Sequence, residues 1–291
     1  MTATTTAAPA PPAVRVAGGT FSDDVRAVRM VWKRELIRFF RNRIRMVTSL
    51  MQPLLFLFVL GSGLSGLTQG VTGHFKYTTF MFPGVLSMAV LFTAIFSAIS
   101  IVWDREFGFM REMLVAPISR SAIVIGKCLG GASVATFQGF IMLMLAGLVG
   151  VPYNPELLLI LVLELLLVAV ALTSFGTMAA SRMAQVESFQ VVMQFFVLPM
   201  MFLSGAVFPL SKLPVWLKAL TVIDPLTYGV DPMRRAVFSH LKHVSPATLH
   251  TLSPGVHWDG WRVPTLVELA IVALMATVMM SIAIYEFQKA E

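Results

Sequence analysis

The sequence is poor in charge and has a single cysteine. Only 13% of its 291 residues are Asp, Glu, Lys or Arg, about half the share of roughly 25% found in soluble domains. Hydrophobic residues make up 57% of the chain, and its mean hydropathy is +0.80. The lone Cys128 excludes an intrachain disulfide and a cysteine-rich metal site. These shortages exclude a soluble globular protein and indicate a polytopic membrane protein.

Motifs for nucleotide hydrolysis and for common hydrolytic chemistry are absent as well. Gly126-Lys127 is followed by Cys128, so the chain has no Walker A phosphate loop. Zinc-protease, nucleophile-elbow and dinucleotide motifs are also missing. The histidines lack the cysteines or paired carboxylates that complete a zinc site; they are His74, His240, His243, His250 and His257. We therefore expect no catalytic residue, no metal site and no cofactor on this chain, and we interpret the histidines as surface residues.

Six apolar stretches are long enough to cross the hydrocarbon core of a membrane, which needs about 20 residues. They predict spans at about 46–67, 79–102, 124–149, 156–179, 188–208 and 264–285. Between the last two, prolines and charges interrupt an apolar segment, which is typical of backbone held at membrane depth without crossing it. We predict short outer re-entrant helices there, at about 212–222 and 226–236, within an all-α polytopic membrane domain over 46–291.

Basic residues are distributed unequally over the two sides that six spans define. Fifteen Lys and Arg fall on the side of the termini and seven on the other side, and the more basic side is normally cytoplasmic. We therefore expect both termini in the cytoplasm and the chain in the cytoplasmic membrane. The net charge of +7 has the same origin, so nucleic acid is not an expected partner. Residues 1–20, rich in Ala, Thr and Pro, predict a disordered cytoplasmic tail.

The segment 21–45 has the period of an amphipathic helix. Its apolar residues recur at steps of three and four, namely Val25, Val28, Trp32, Leu36 and Phe39. Basic residues occupy its other faces, as in helices that lie in the interface plane with their cations toward anionic headgroups. A positive flank that only orients span one would explain the charges equally well, but it would not explain the apolar stripe. We favour the interfacial helix, with membrane lipid as its partner.

The loop between spans two and three carries a second short amphipathic pattern. Phe107, Met110 and Leu114 recur at helical spacing among charged residues, and Pro117 ends any helix at about Ala116. A helix of this kind either caps its own bundle or docks into a soluble partner, and the spacing does not decide between the two.

Two carboxylates near or within the spans need an explanation, because an intramembrane carboxylate is a functional candidate. Glu164 in span four has either a structural hydrogen bond or a role in a transport pathway, and the sequence favours neither. Glu268 lies near the outer end of span six, where we expect it to reach water.

These motifs resemble the ABC-2 type permease family, in particular its daunorubicin/doxorubicin-resistance-type exporter branch. The loop 106–119 is similar to the family pattern E-x-G-x-x-x-E-x-L-x-x-P-x-S. The stretch 202–217 resembles the family's exit from span five, and 225–234 resembles its outer signature, with Asp231 and Arg234 in place. The chain departs from the family at Asp224, where Asn is more frequent.

The resemblance implies a permease that forms a dimer, as a homodimer or with a related permease, and binds two separate ATPase subunits. Those subunits would hold the ATP and Mg²⁺, so the chain itself would not be an enzyme. It would move a hydrophobic drug, a lipid or a lipid-linked molecule out of the cytoplasm or inner leaflet. Its coupling helix would contact the ATPase through Glu106, Phe107, Gly108, Phe109, Met110, Arg111, Glu112, Leu114 and Pro117.

The same resemblance places spans one, two and five near the dimer axis, where they would line the pathway. Flexible Met and broad aromatic side chains accept varied apolar ligands. The candidates are Met51, Gln52, Phe56, Phe92, Phe96, Glu164, Gln194, Phe195, Phe196 and Met201. Ordinary packing or contact with lipid is the alternative for each of them.

Two other classes of function stay open from the residues alone. A secondary transporter should show inverted repeats and broken helices at the membrane midplane. An integral membrane enzyme should show clustered acid and base residues near one interface. We find neither pattern in the sequence, but neither class is excluded by composition.

The charge asymmetry predicts that Ala7 lies in the cytoplasm. A cysteine introduced there in a Cys128→Ser background should resist an impermeant thiol reagent in intact cells and react after lysis. Labelling of intact cells would reverse the predicted orientation.

Overall fold

The computed structural model describes residues 21–63, 77–109, 118–207, 214–241, 255–258 and 261–289. The chain begins with helix α1 (Phe21–Arg41) and, after Asn42, α2 (Arg43–Leu55), which continues through a π-helical turn (Phe56–Leu60) and a last helical piece (Gly61–Gly63). The other elements, in chain order, are α3 (Tyr77–Ser97), α4 (Ile99–Glu106), α5 (Arg120–Leu143), a 3₁₀ turn (Ala146–Val149), α6 (Pro155–Ser181), α7 (Val186–Leu203), α8 (Val215–Ile223), α9 (Thr227–Ser239), strands β1 (His257–Trp258) and β2 (Trp261–Arg262), and α10 (Thr265–Lys289).

Six helical segments within the described ranges are long and apolar enough to cross a membrane. They are Met46–Gly63, Tyr77–Glu106, Arg120–Leu143, Pro155–Ser181, Val186–Leu203 and Thr265–Lys289. These segments confirm the six spans and the all-α polytopic class. The predicted tail 1–20 lies outside the described residues. We call the side of the membrane domain on which α1 and the loop after α4 lie the α1 side.

Spans three and four begin where the sequence provides helix caps. The Ser119 hydroxyl accepts a hydrogen bond from Ala122 N at 3.2 Å, and the Asn154 side chain accepts one from Glu156 N at 3.0 Å. Such caps satisfy backbone donors that a first helical turn leaves free. Ser119 N also donates to Asp24 Oδ1 at 2.9 Å, so the start of span three is tied to the start of α1.

Helix α1 packs along span three through two glycines. A Cβ on Gly126 would lie 2.8 Å from Val31 Cβ, and one on Gly130 would lie 2.6 Å from Glu35 Cβ. Small residues four apart allow two helices to approach this closely. The buried residues of α1 are Ala27, Val31 and Phe39. Of the apolar stripe that the sequence predicts on α1, Phe39 is buried, whereas Val25 and Trp32 are exposed.

On the side opposite α1, helix α9 lies buried against spans two, four and six. Its Arg235 pairs with Asp231 and donates to Glu268 Oε1 at 3.1 Å. Glu268 is fully buried, at 0% exposure. The expectation that Glu268 reaches water is wrong, because α9 covers this end of span six and Arg235 supplies its counter-charge.

The two short helices after span five are confirmed as α8 and α9, close to the predicted positions; their depth in the membrane stays a prediction. The corner between them is built on Asp224. Its Oδ1 accepts a hydrogen bond from Leu226 N at 3.0 Å, and its Oδ2 accepts one from the Thr227 hydroxyl at 3.2 Å. Burial raises the pKa of Asp224 to about 7, although these hydrogen bonds act in the opposite direction.

A raised pKa means that the folded corner binds a proton more tightly than the unfolded chain. The stability that this proton supplies is complete below about pH 4, and it is lost as the pH rises through about 7. Asp224→Asn keeps an acceptor for Leu226 N and removes the charge. We expect this variant to raise the melting temperature in detergent by several degrees at pH 8 and by much less at pH 5. Glu156→Gln, at an exposed carboxylate, is the control variant. If Asp224→Asn shifted the melting temperature equally at both pH values, the prediction would be contradicted.

Candidate functional site

Four charged side chains from three elements meet on the α1 side. Asp104 Oδ2 at the end of span two lies 2.5 Å from Lys127 Nζ in span three and 2.6 Å from Arg34 Nη2 in α1. Glu35 Oε1 lies 3.5 Å from both Lys127 Nζ and Arg34 Nη2. Lys127 also donates to the carbonyl and hydroxyl oxygens of Ser100, at 3.1 and 3.2 Å. The four side chains carry two positive and two negative charges, so the cluster is neutral.

Burial makes this cluster energetically important. The Lys127 side chain is only 2% exposed, and a buried ammonium without a partner costs several kcal/mol. Burial alone would lower the pKa of Arg34, but the Asp104 and Glu35 carboxylates together outweigh it and raise that pKa above its usual value. Sequence reasoning missed the cluster, because it placed Asp104 outside span two and assigned no partner to Lys127. The available signal was a lone cation in an apolar stretch, which requires a nearby carboxylate.

The last turn of α4 is bonded to three spans on this side. Asp104 reaches span three, as described. Arg105 Nη1 donates to the carbonyls of Ser181 and Met183, at 3.0 and 2.8 Å, where span four ends. Glu106 Oε2 accepts a hydrogen bond from Val186 N, at 2.8 Å, where span five begins. Three consecutive residues therefore connect the base of the loop to three spans. We call Asp104, Arg105 and Glu106 the hub.

The loop that follows the hub presents aromatic side chains. Phe107 is 67% exposed and Phe109 is 55% exposed. Gly108 between them has φ +80°, a conformation that side-chain-bearing residues rarely adopt. The other predicted contact residues lie outside the described residues; they are Met110, Arg111, Glu112, Leu114 and Pro117.

A groove of about 530 Å³ separates these aromatics from α1. Its α1 wall is one helical stripe, and the opposite wall comes from the end of α4 and the loop. The lining residues are Arg34, Ile37, Arg38, Arg41, Trp103, Asp104, Phe107 and Phe109. The groove is basic, because Lys127 and Arg34 already neutralise Asp104 and the charges of Arg38 and Arg41 remain. The Arg38 guanidinium lies over the Trp103 ring, 4.6 Å from its centroid.

A second cavity, of about 410 Å³, lies between α1 and spans one, two and three, with one residue from span five. Four of the predicted pathway residues line it: Gln52, Phe92, Phe96 and Gln194. Residues 92 to 103 of span two border it over about 17 Å, at a rise of about 1.5 Å per residue. That distance is about half the hydrocarbon thickness of about 30 Å. The cavity therefore reaches from the interface toward the midplane.

The other predicted pathway residues lie elsewhere. Met51, Phe195 and Phe196 are exposed on spans one and five, Phe56 is half-buried, and Met201 is buried in the main apolar core. Glu164 is buried in span four, and its Oε2 has no hydrogen-bond partner within the described ranges. None of these residues lines the 410 Å³ cavity, and their roles stay predictions.

Comparison with known proteins agrees with this arrangement. The family model described as ABC-2 type transporter matches residues 26–238, from α1 through α9. The chain belongs to the ABC-2 type transporter family.

Individual relatives carry names consistent with that family. This permease is 28% identical over 224 residues to a putative transport permease, ycf38, of Cyanophora paradoxa, covering 76% of this chain and 77% of the relative. It is 27% identical over 233 residues to Nodulation protein J of Rhizobium leguminosarum bv. trifolii, covering 77% and 88%. It is also 25% identical over 209 residues to the inner membrane transport permease YadH of Escherichia coli K12, covering 72% and 81%.

These findings make the chain a multi-pass transport permease of an ABC transporter, a class that associates with an ABC ATPase. They favour this function over a secondary transporter or a membrane enzyme.

The buried cluster predicts a specific pattern of stability changes. Asp104→Asn should lower the unfolding free energy by about 3–5 kcal/mol, because it leaves Lys127 buried with too little negative charge. Adding Lys127→Met should recover most of that loss, since Glu35 then still faces Arg34. Thermal unfolding in detergent measures both variants.

The exposed pair Arg182–Glu286, with Nη2 and Oε1 2.8 Å apart, is the matched control. Arg182→Gln should cost less than about 1 kcal/mol, as exposed pairs do. If Asp104→Asn were equally mild, or if the double variant were no better than the single one, the cluster would not be a coupled buried network.

Proposed function

We propose that this permease is the membrane subunit of an ABC exporter. It moves a hydrophobic drug, a lipid or a lipid-linked molecule out of the cytoplasm or inner leaflet, and two separate ATPase subunits hold ATP and Mg²⁺ and supply the energy. In this proposal the α1 side is cytoplasmic. The drug-resistance branch remains a prediction, since the relatives reported above carry other names.

The observation that carries the proposal is the hub beneath an exposed aromatic loop. A soluble subunit that binds Phe107 and Phe109 would pull on the last turn of α4. Because Asp104, Arg105 and Glu106 are bonded to spans three, four and five, that pull would move these spans as one body. Rigid-body movement of packed helices is a common form of switching transition.

The basic groove supports an ATPase as the occupant of this surface. Its exposed apolar residues, Ile37, Phe107 and Phe109, suit a buried anchor, and its arginines surround them as a charged rim. Arg38 and Arg41 form no ion pair within the described part of the chain. The complementary surface on the ATPase is therefore a segment with apolar residues and carboxylates.

The exposed faces of spans one and five support a second permease subunit. Val59, Val191 and Phe195 are all more than half exposed. Gln52 and Gln194 are exposed among such apolar residues, and an amide facing hydrocarbon is unfavourable. Contact with a second copy, or with a related permease, would cover these faces and place the two 410 Å³ cavities near the dimer axis.

Loop variants test the docking surface directly. Phe109→Ala and Glu112→Lys should leave membrane insertion intact, weaken ATPase association and abolish substrate-stimulated hydrolysis. Loss of a central anchor costs about 2 kcal/mol or more, which corresponds to roughly thirtyfold in affinity. Co-purification of the ATPase and hydrolysis assays measure the two effects.

Leu266→Ala, at an exposed apolar residue near the other end of the membrane domain, is the matched control and should change neither measurement. A loop variant that lost expression but kept full coupling per molecule would show that the loop is only structural.

A further inference from the structure

The 410 Å³ cavity carries several polar side chains although it lies among membrane spans. Its lining includes amides from three spans and hydroxyls from spans one and two. A cavity of this volume is within the range of ligand sites, and at about 30 Å³ per molecule it could hold about a dozen waters. A purely apolar ligand would strip these polar groups of water and offer no hydrogen bonds in return, which is unfavourable.

One amide of the lining is already satisfied. Gln138 donates to Met46 O and to the Ser49 hydroxyl, and its Oε1 accepts a hydrogen bond from the Thr93 hydroxyl. These bonds join spans one, two and three, so Gln138 is a structural part of the wall.

Two other amides differ from Gln138. The side chains of Gln52 and Gln194 make no hydrogen bond within the described ranges. Both are also exposed, which places the mouth of the cavity where spans one and five face outward. Each amide offers a donor and an acceptor to whatever enters the cavity.

The charges of the lining favour a ligand without net charge. Among the described residues that line the cavity, Glu35 and Arg38 are charged. Glu35 already faces Lys127 and Arg34 at 3.5 Å, and Arg38 lies over the Trp103 ring. With one charge of each sign in its lining, the cavity has no strong preference for an ion of either sign.

Aromatic rings complete the lining. Phe92, Phe96 and Trp103 border the same side of the cavity along span two. Flat aromatic faces beside hydrogen-bonding amides suit a ligand that has both C–H faces and hydroxyl groups, such as a sugar ring.

We infer that this cavity receives the uncharged headgroup of an amphiphile, one that bears hydroxyl or amide groups, while its hydrocarbon chain lies against the exposed apolar faces of spans one and five, between the two permease subunits. This inference rests on the proposed function and narrows its substrate class from hydrophobic molecules in general to amphiphiles with a polar, non-ionic headgroup. Gln52 and Gln194 bind the headgroup at the mouth of the cavity.

Equilibrium binding to the permease in nanodiscs, without ATPase or nucleotide, tests the inference. The probes are tritiated decyl β-maltoside, decyltrimethylammonium, decyl sulfate and decylphosphocholine, each corrected for uptake by empty nanodiscs. We expect saturable binding of the maltoside and at least fivefold weaker binding of the three charged or zwitterionic probes.

Variants then locate the site. Gln194→Leu and Gln52→Leu should each weaken maltoside binding about fivefold or more and leave the other probes unchanged. Gln190→Leu is the matched control, because Gln190 is an exposed amide one turn earlier on span five that does not line the cavity; it should bind like the unaltered permease.

Three outcomes would overturn the inference. They are no saturable maltoside binding, equal binding of all four probes, or maltoside binding that Gln194→Leu and Gln190→Leu change alike. The cavity would then be a water-filled vestibule. The binding assay does not involve ATPase docking. If no specific binding is found, the loop variants still test the proposed function. If the loop variants show no docking, the binding result is unaffected.

Discussion

The ion pair between Asp104 and Lys127 determines how the α1 side is built. Lys127 can lie inside an apolar span only because a carboxylate of the preceding span reaches it at 2.5 Å. Asp104 also fixes Arg34, so the same oxygen holds α1 against both spans. The residues that follow Asp104 bond to spans four and five. Breaking this pair from one side would therefore leave Lys127 buried without its main counter-charge at the point where α1, span two and span three meet.

Much of the architecture could be predicted from hydropathy, because a membrane requires a fixed length of apolar helix. The six spans, the helical segment at 21–41 and the two helices after span five follow from apolar runs and from prolines. The packing of α1 against span three could not be predicted. An apolar stripe indicates which residues avoid water, but it does not tell lipid from protein, and the contact with span three depends on Gly126 and Gly130, about a hundred residues away in the sequence.

The polar contacts were the hardest to predict, because they join residues that are distant along the chain. Glu268 was expected to reach water, yet α9 covers it and Arg235 pairs with it. The candidate pathway was predicted by residue type, and the structure brings four of those residues, Gln52, Phe92, Phe96 and Gln194, to one cavity. Residue type alone could not reveal the hydroxyls and amides beside them, which come from Asn42 and from spans one, two and three.

The glycine crossing between α1 and span three also orders events during synthesis. Gly126 follows Val31 by about 95 residues, and at roughly 5–20 residues per second the ribosome needs about 5–20 seconds to make them. During that interval α1 lacks the surface of span three against which its buried residues pack. Lys127 arrives when Asp104 is already made. Insertion of span three therefore brings Lys127 to a carboxylate that is already in place and, in the same step, gives α1 its packing surface.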